Sequence, residues 1–366
     1  DDALLVAREL TNRSGAEADR FRRAVTRCRS DEERLQLSRE FLGHCRRSGM
    51  DVRVSADLWA QMAKFNSYSF CRAHAASYAR IAWANAYMKA HCGPEFWAGA
   101  INNNEGMYDK WVYVETARQE GIRILPPCIH RSADEFIVEG GALRIGLERI
   151  REVSARGRES IRVNRPFLGL SDLIIRSCLK YGELVNLITA GALAFTGQAP
   201  PRLLAELGII FRTARNLRGQ PTLFPLPPPL IADGNAEYSG IRRCQDEWRV
   251  MNLSTGIHPI EPMRPALNAK GFLSSRDVSN RVGRTVRLCG IPAAARTTPS
   301  KDGKTMCFIT LSDEDGLFEV TLFPKIYAEY RGTLAGSEAG VLWVAGRVES
   351  EYDAITITAD RLGRLK

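Results

Sequence analysis

The sequence predicts an α+β multidomain chain, helical at the front and ending in a five-stranded β-barrel. Three observations predict it. Residues 1 to about 110 carry helix start and stop signals and helical spacing. From about Thr285 to Asp360 the pattern changes to alternation with period two. Between them lies "PTLFPLPPPLIADGN", a proline-rich stretch that reads as an extended, semi-rigid linker. The length of 366 residues exceeds one typical core and suggests two or three domains.

The helical region opens with two S-x-x-E boxes, Ser14 with Glu17 and Ser30 with Glu33. In each, the two side chains satisfy amides that a helix start leaves unpaired. The first box begins "GAEADRFRRAVTRCR", which places Arg20, Arg23 and Arg27 on one face. A long helix is expected from about His74 to His91. It is alanine-rich, has one β-branched residue and no internal Gly or Pro, and stops at Gly93-Pro94. One face carries Ala76, Trp83, Ala86 and Ala90; the other carries His74, Tyr78, Ile81 and Asn85. The expectation is a helix packed on one side and facing a site on the other.

Short strands follow in "GIRILPP" and "EFIVEGGALRIGL", broken by Pro126-Pro127 and Gly140-Gly141. Gly146 to about Leu207 reads as short helical pieces. After the linker come "RTVRLCGI", "KTMCFITLSD", "LFEVTLFP", "GVLWVAGRVE" and "AITITAD". Asp315-Gly316 marks a hairpin between the second and third. The helical "KIYAEYRGTL" separates the third from the fourth. Five short strands with that helix placement form the pattern of an OB-fold barrel.

Composition narrows the function. Hydrophobic residues make up 45% of the chain, enough to bury real cores. A net charge of +9, rich in arginine, favours polyanion partners. Nine cysteines without a C-x-x-C pair suggest free thiols in a reducing compartment, neither a disulfide framework nor a zinc site. No apolar run reaches the roughly 18 residues of a membrane span. A cytoplasmic location is therefore expected. The chain opens at Asp1 directly in helical pattern, so a fragment is expected.

Arg20, Arg22, Arg23, Arg27 and Arg29 could clasp phosphate oxygens bidentately. They could equally form a solvated face paired to Asp19 and Glu33. Arg72 and His74 lie in the first turn of their helix, where free amides and the dipole favour an anion; a packing role for His74 stays open. On the barrel, Phe308, Phe318 and Trp343 are candidate stacking platforms or core residues. Arg287, Lys301, Lys304 and Arg347 could supply the electrostatic part of a single-strand groove.

"FNSYSFCRAHAASYARIAWANAYMKAHCGPEFWAGAINN" resembles the fingers of the bacterial C-family DNA polymerases, the family of the DNA polymerase III alpha subunit. The upstream "ADRFRRAVTRCR" resembles the family's basic fingers helix. The resemblance implies that Arg22, Arg23, Arg27, Arg72 and His74 approach an incoming deoxynucleoside triphosphate. Cys28 stands where lysine is frequent. "QEGIRILPPCIHRSADEFIVEGGALRIGLERIREVS" continues the resemblance into a helix-hairpin-helix element. There Arg149, Arg151 and Arg156 would meet the DNA backbone. The family's G-V-G hairpin, however, reads Glu152-Val153-Ser154, which weakens close backbone approach and adds a negative charge. "GQPTLF" fits Q-x-x-L-F and resembles the sliding-clamp peptide, with Gln220, Leu223 and Phe224 as its anchors. "DEWRVMNLSTGIHPIEPMRPAL" looks more like the error-prone, translesion branch.

The implied organisation is a partial fingers region at 1–120 and a helix-hairpin-helix-like region at 121–218. The linker with the clamp peptide and a connecting segment occupy 219–284, and the OB-fold domain 285–366. The family's palm carboxylates, which would hold Mg²⁺, match nothing in this chain. The expectation is no bound metal, and no polymerisation by the chain alone. A non-catalytic, clamp-tethered single-strand-binding module is the alternative.

Overall fold

The computed structural model describes residues 5–6, 8–9, 14–28, 30–66, 72–218, 229, 238–300, 302–334, 340–352 and 354–365. Arg29, Gln220, Leu223, Phe224 and Lys301 lie outside the described residues. The chain forms two compact units, residues 1–88 and 89–366.

In the first unit, α1 (Gly15–Arg27), α2 (Asp31–Arg47) and α3 (Val52–Asn66) follow their caps. The Ser14 hydroxyl accepts from the Glu17 amide, and Glu17 accepts from the Ser14 amide at 3.0 Å. Ser30 caps α2 through the Glu33 amide at 3.2 Å. The three helices share a small core of Ala18, Phe21, Phe41, Cys45 and Met62, with Trp59 packed on it. Phe21 stacks on Phe41 at 6.1 Å between ring centroids.

The long helix forms as α4 (Arg72–His91), close to its expected limits. It does not pack on one side, as its sequence suggested: none of its residues is buried, and Trp83 is 68% exposed. Its apolar residues are spread around the whole circumference, so no single stripe exists to bury.

The second unit is built on one continuous helical core. α5 (Gly93–Asn102) and α6 (Lys110–Gln119) contribute Trp97, Ile101 and Trp111. A small sheet holds β1 (Ile124–Leu125), β2 (Ile137–Glu139) and β3 (Ala142–Arg144). β3 pairs with β1 in parallel and with β2 in antiparallel. Gly140 and Gly141 turn β2 into β3 with φ of 57° and 73°, a conformation glycine reaches without steric cost. The helical pieces α7 (Ala155–Asn164), α8 (Leu170–Arg176), α9 (Tyr181–Thr189) and α10 (Pro200–Asn216) supply Ile161, Leu173, Leu187 and Leu207. α11 (Gly240–Met251), α12 (Arg264–Ala269) and the turns around them add Val250, Leu253, Ile260 and Phe272. The segment after the proline-rich stretch is thus part of this core.

The barrel strands are β4 (Thr285–Pro299), β5 (Thr305–Ser312), β6 (Leu317–Leu322), β7 (Leu342–Glu351) and β8 (Ala354–Arg364). They close in the order β4-β5-β6-β8-β7, with helix α13 (Pro324–Leu334) between β6 and β7. This is the OB-fold arrangement. Leu288, Ile309, Leu311, Val320, Val344 and Ile357 fill its interior. Cys289 and Ile291 of β4 instead join the helical core. β4 also runs past Ile291, where its sequence signal fades, to Pro299. Its pairing with β5 shifts register between Pro292 and Ala294. Proline lacks the ladder donor, and a bulge is how a strand accommodates that.

Candidate nucleic-acid interface

The outer face of β4, β5 and β6 carries an open aromatic platform. Phe308 is 43% exposed. Arg296 lies directly opposite it across the β4–β5 ladder, and Glu319 lies opposite Thr310 across β5–β6. Phe308 and Thr310 are two apart on β5 and so share a face. Among the described residues the Arg296 guanidinium and the Glu319 carboxylate have no protein partner.

Met107 and Tyr108, on the loop between α5 and α6, form the far wall of a cleft of about 440 Å³ over this platform. The loop is held by its own hydrogen bonds. Asn104 accepts from the Gly106 amide at 2.9 Å and donates to the Tyr108 carbonyl at 2.8 Å. Asp109 then caps α6 through the Trp111 amide at 3.1 Å. A Cβ at residue 106 would lie 2.6 Å from the Tyr113 hydroxyl, so a larger residue there would displace that side chain.

The other barrel candidates separate. Lys304 and Arg347 are exposed. Phe318 is 7% exposed and belongs to the barrel core. Trp343, expected as a DNA contact, is half-buried and packs against the helical core, because β7 turns that face inward. Arg287 lays its guanidinium 4.3 Å from the centre of the Phe272 ring and donates to the Lys270 carbonyl at 3.1 Å. Its charge is held against the protein by an aromatic face and a carbonyl.

At the hairpin before α7, Glu152 adopts φ of 63°, the left-handed region that favours glycine. The Ser154 hydroxyl caps α7 by accepting from the Gly157 amide at 3.0 Å. The Ser154 amide and hydroxyl both donate to Glu183, at 3.0 and 2.7 Å, and the Lys180 amide donates to Glu183 at 2.7 Å. Burial pushes the Glu183 carboxyl up, but the Lys180 amide and Ser154 together hold it below its ordinary range. An internal carboxylate thus occupies donors at the starts of α7 and α9. Arg149, expected on the DNA backbone, is instead a strut: it bonds Asp109 at 2.8 Å and reaches the Asn252 carbonyl. Arg151 and Arg156 are exposed.

In the first unit, Arg22 and Arg23 both pair with Asp19, each at 2.7 Å. Hydrogen bonds from Arg22, then Arg23, hold the Asp19 carboxyl below its usual range. Arg27 is exposed, as is Arg72 in the first turn of α4. The His74 ring meets Tyr78 edge-on at 4.4 Å. Among the described residues no three His, Cys, Asp or Glu side chains gather as a metal site. Likewise, no described helix is long and apolar enough to cross a membrane.

Sequence reasoning missed Met107, Tyr108, Arg296 and Glu319. Glu319 was readable as an outward position of "LFEVTLF". Arg296 was not, because it follows a bulge in a segment of weak strand formers.

Residues 121–202 match the model of the helix-hairpin-helix motif, and 286–365 that of the OB-fold nucleic acid binding domain. Fold and site together define a nucleic-acid-binding chain. Across 99% of its length it is 27% identical to the error-prone DNA polymerase of Symbiobacterium thermophilum, covering 38% of that protein. Across 99% of its length it is 28% identical to the DNA polymerase III subunit alpha of Bacillus subtilis, covering 33% of that protein. The chain is similar over nearly its whole length to these bacterial DNA polymerases, and it spans about a third of the length of the curated relatives it matches. Among solved structures, the second OB-fold domain of replication protein A from Methanococcus maripaludis aligns with a TM-score of 0.19 and 19% identity. That alignment covers 23% of this chain and 87% of that one.

Proposed function

We propose that this chain is the DNA- and clamp-contacting portion of a template-directed, error-prone DNA polymerase, and that its barrel holds single-stranded template. The observation that carries the reading is the exposed Phe308 platform with Arg296 across the ladder. An aromatic face stacks any base, and a neighbouring guanidinium meets the backbone. Lys304 and Arg347 extend the positive field. Arg22, Arg23, Arg27, Arg72 and His74 are the proposed contacts to the incoming deoxynucleoside triphosphate. Gln220, Leu223 and Phe224 are the proposed sliding-clamp anchors. Arg151 and Arg156 are the remaining proposed hairpin contacts to duplex DNA, since Arg149 is engaged with Asp109 and the Asn252 carbonyl. Mg²⁺ would be held by family carboxylates with no counterpart among these residues, and the working site is cytoplasmic.

The hairpin alone favours a second reading. With Glu152 at its tip and Glu183 on its donors, it packs helices rather than clasping phosphate.

Fluorescence anisotropy of the purified chain with a labelled single strand tests the proposal. Phe308→Ala is expected to cost about 1–3 kcal/mol of affinity, roughly fivefold to a hundredfold, with unchanged circular dichroism. Affinity should also fall linearly on a log–log salt plot. An unchanged affinity in the variant would remove the barrel from the binding surface.

A further inference from the structure

We infer that the Phe308 cleft reads the base it holds, and that Glu319 selects guanine and disfavours thymine there. This inference rests on the single-strand reading above. Glu319 walls the same cleft as Phe308, Arg296, Met107 and Tyr108. It is exposed, on the outward side of β6, in a chain of net charge +9. No protein cation neutralises it among the described residues. A free carboxylate beside a DNA backbone is repulsive. It becomes favourable only where it meets base edges, with the phosphates directed to the Arg296 side.

An ionised carboxylate is an acceptor only, with two oxygens side by side. Guanine offers the complement: its ring N1–H and its exocyclic amino group point the same way, one to each oxygen. Cytosine and adenine offer an amino group beside a bare ring nitrogen, so one bond forms. Thymine offers one ring N–H between two carbonyl oxygens, both of which repel the carboxylate. Stacking on Phe308 fixes the plane of the base, and the pre-formed loop wall of Met107 and Tyr108 limits its sliding. A cleft of about 440 Å³ falls in the size range of small-ligand sites, so it accepts a nucleotide unit.

The test is a set of anisotropy titrations of the full chain with equal-length single strands: all-thymine, or thymine with interspersed guanine, inosine or cytosine. The guanine strand should bind on the order of tenfold tighter than the all-thymine strand. Inosine, which lacks the amino group, should lose most of that gain. Glu319→Gln should collapse the preference and strengthen all-thymine binding. A preference that survives Glu319→Gln overturns the inference; if Phe308→Ala still weakens every strand, the single-strand reading stands without it. If Phe308→Ala changes nothing, that reading fails as well. Guanosine monophosphate is the competitor that separates sources: weak competition is expected. Competition as strong as the guanine strand's would overturn a strand site in favour of a free-nucleotide site.

Discussion

The hairpin before α7 and the outer face of the barrel both bear arginines, and both sit in elements that bind nucleic acid in related folds. They differ in what their polar groups already do. At the hairpin, Ser154 and Lys180 donate to Glu183, Arg149 bonds Asp109, and Glu152 stands at the tip in a left-handed conformation. On the barrel, Phe308, Arg296 and Glu319 are left facing outward. Residue type alone therefore does not say which polar groups and aromatic faces remain available to a ligand; the contacts each already makes do.

Three substitutions bear on this contrast, from the largest effect to the smallest. Trp343→Ala removes an aromatic side chain that joins the barrel to the helical core. We expect a loss of about 3 kcal/mol in denaturant unfolding, with single-strand affinity of the folded protein little changed. A selective loss of binding without destabilisation would return Trp343 to the DNA-contacting face.

The helical side can be loosened by pH. Burial, with the Arg118 and Arg264 charges adding to it, pushes the His258 imidazole down to about 3, and its Nδ1 accepts from the Ile260 amide at 3.2 Å. The unfolded chain takes up this proton near pH 6.5 and the folded protein only near 3. Stability therefore falls as pH drops through that window, by about 1.4 kcal/mol per unit. His258→Gln should flatten the slope of unfolding free energy between pH 6 and 4. An unaltered slope would mean that other groups carry the acid sensitivity.

Glu152→Gly removes a left-handed non-glycine residue and a carboxylate together. We expect about 1 kcal/mol of stabilisation, in thermal or denaturant melts, less whatever glycine gives to the unfolded chain. The sharper reading is duplex affinity. A gain in duplex binding beyond that of a Glu152→Gln control would make the hairpin a phosphate site muted by its backbone and its side chain. Greater stability without tighter binding would leave it a packing element.

Much of this was legible in the chain. Alternation placed all five barrel strands, and the helix between the third and fourth fixed their OB order. Ser14 and Ser30 marked their helix starts, because capping is a local interaction between residues three apart. Gly140-Gly141 marked its hairpin for the same reason. The packing of α4 was misjudged, since alanine-rich helical propensity says where a helix forms and not whether a face is covered. The fate of each arginine was also hidden. Asp109 lies 40 residues from Arg149, and only the fold brings them together.

The sequence by itself determined the elements, their order and the basic character, because periodicity, caps and turn residues act over a few positions. The tertiary structure decided which side chains remain available. The Pro292 bulge carries Arg296 opposite Phe308, the Asn104–Asp109 loop supplies the facing wall, Trp343 packs on the helical core, and Arg287 is laid over Phe272. Those outcomes depend on cross-strand register and on contacts between residues far apart in the chain, and no local pattern encodes them.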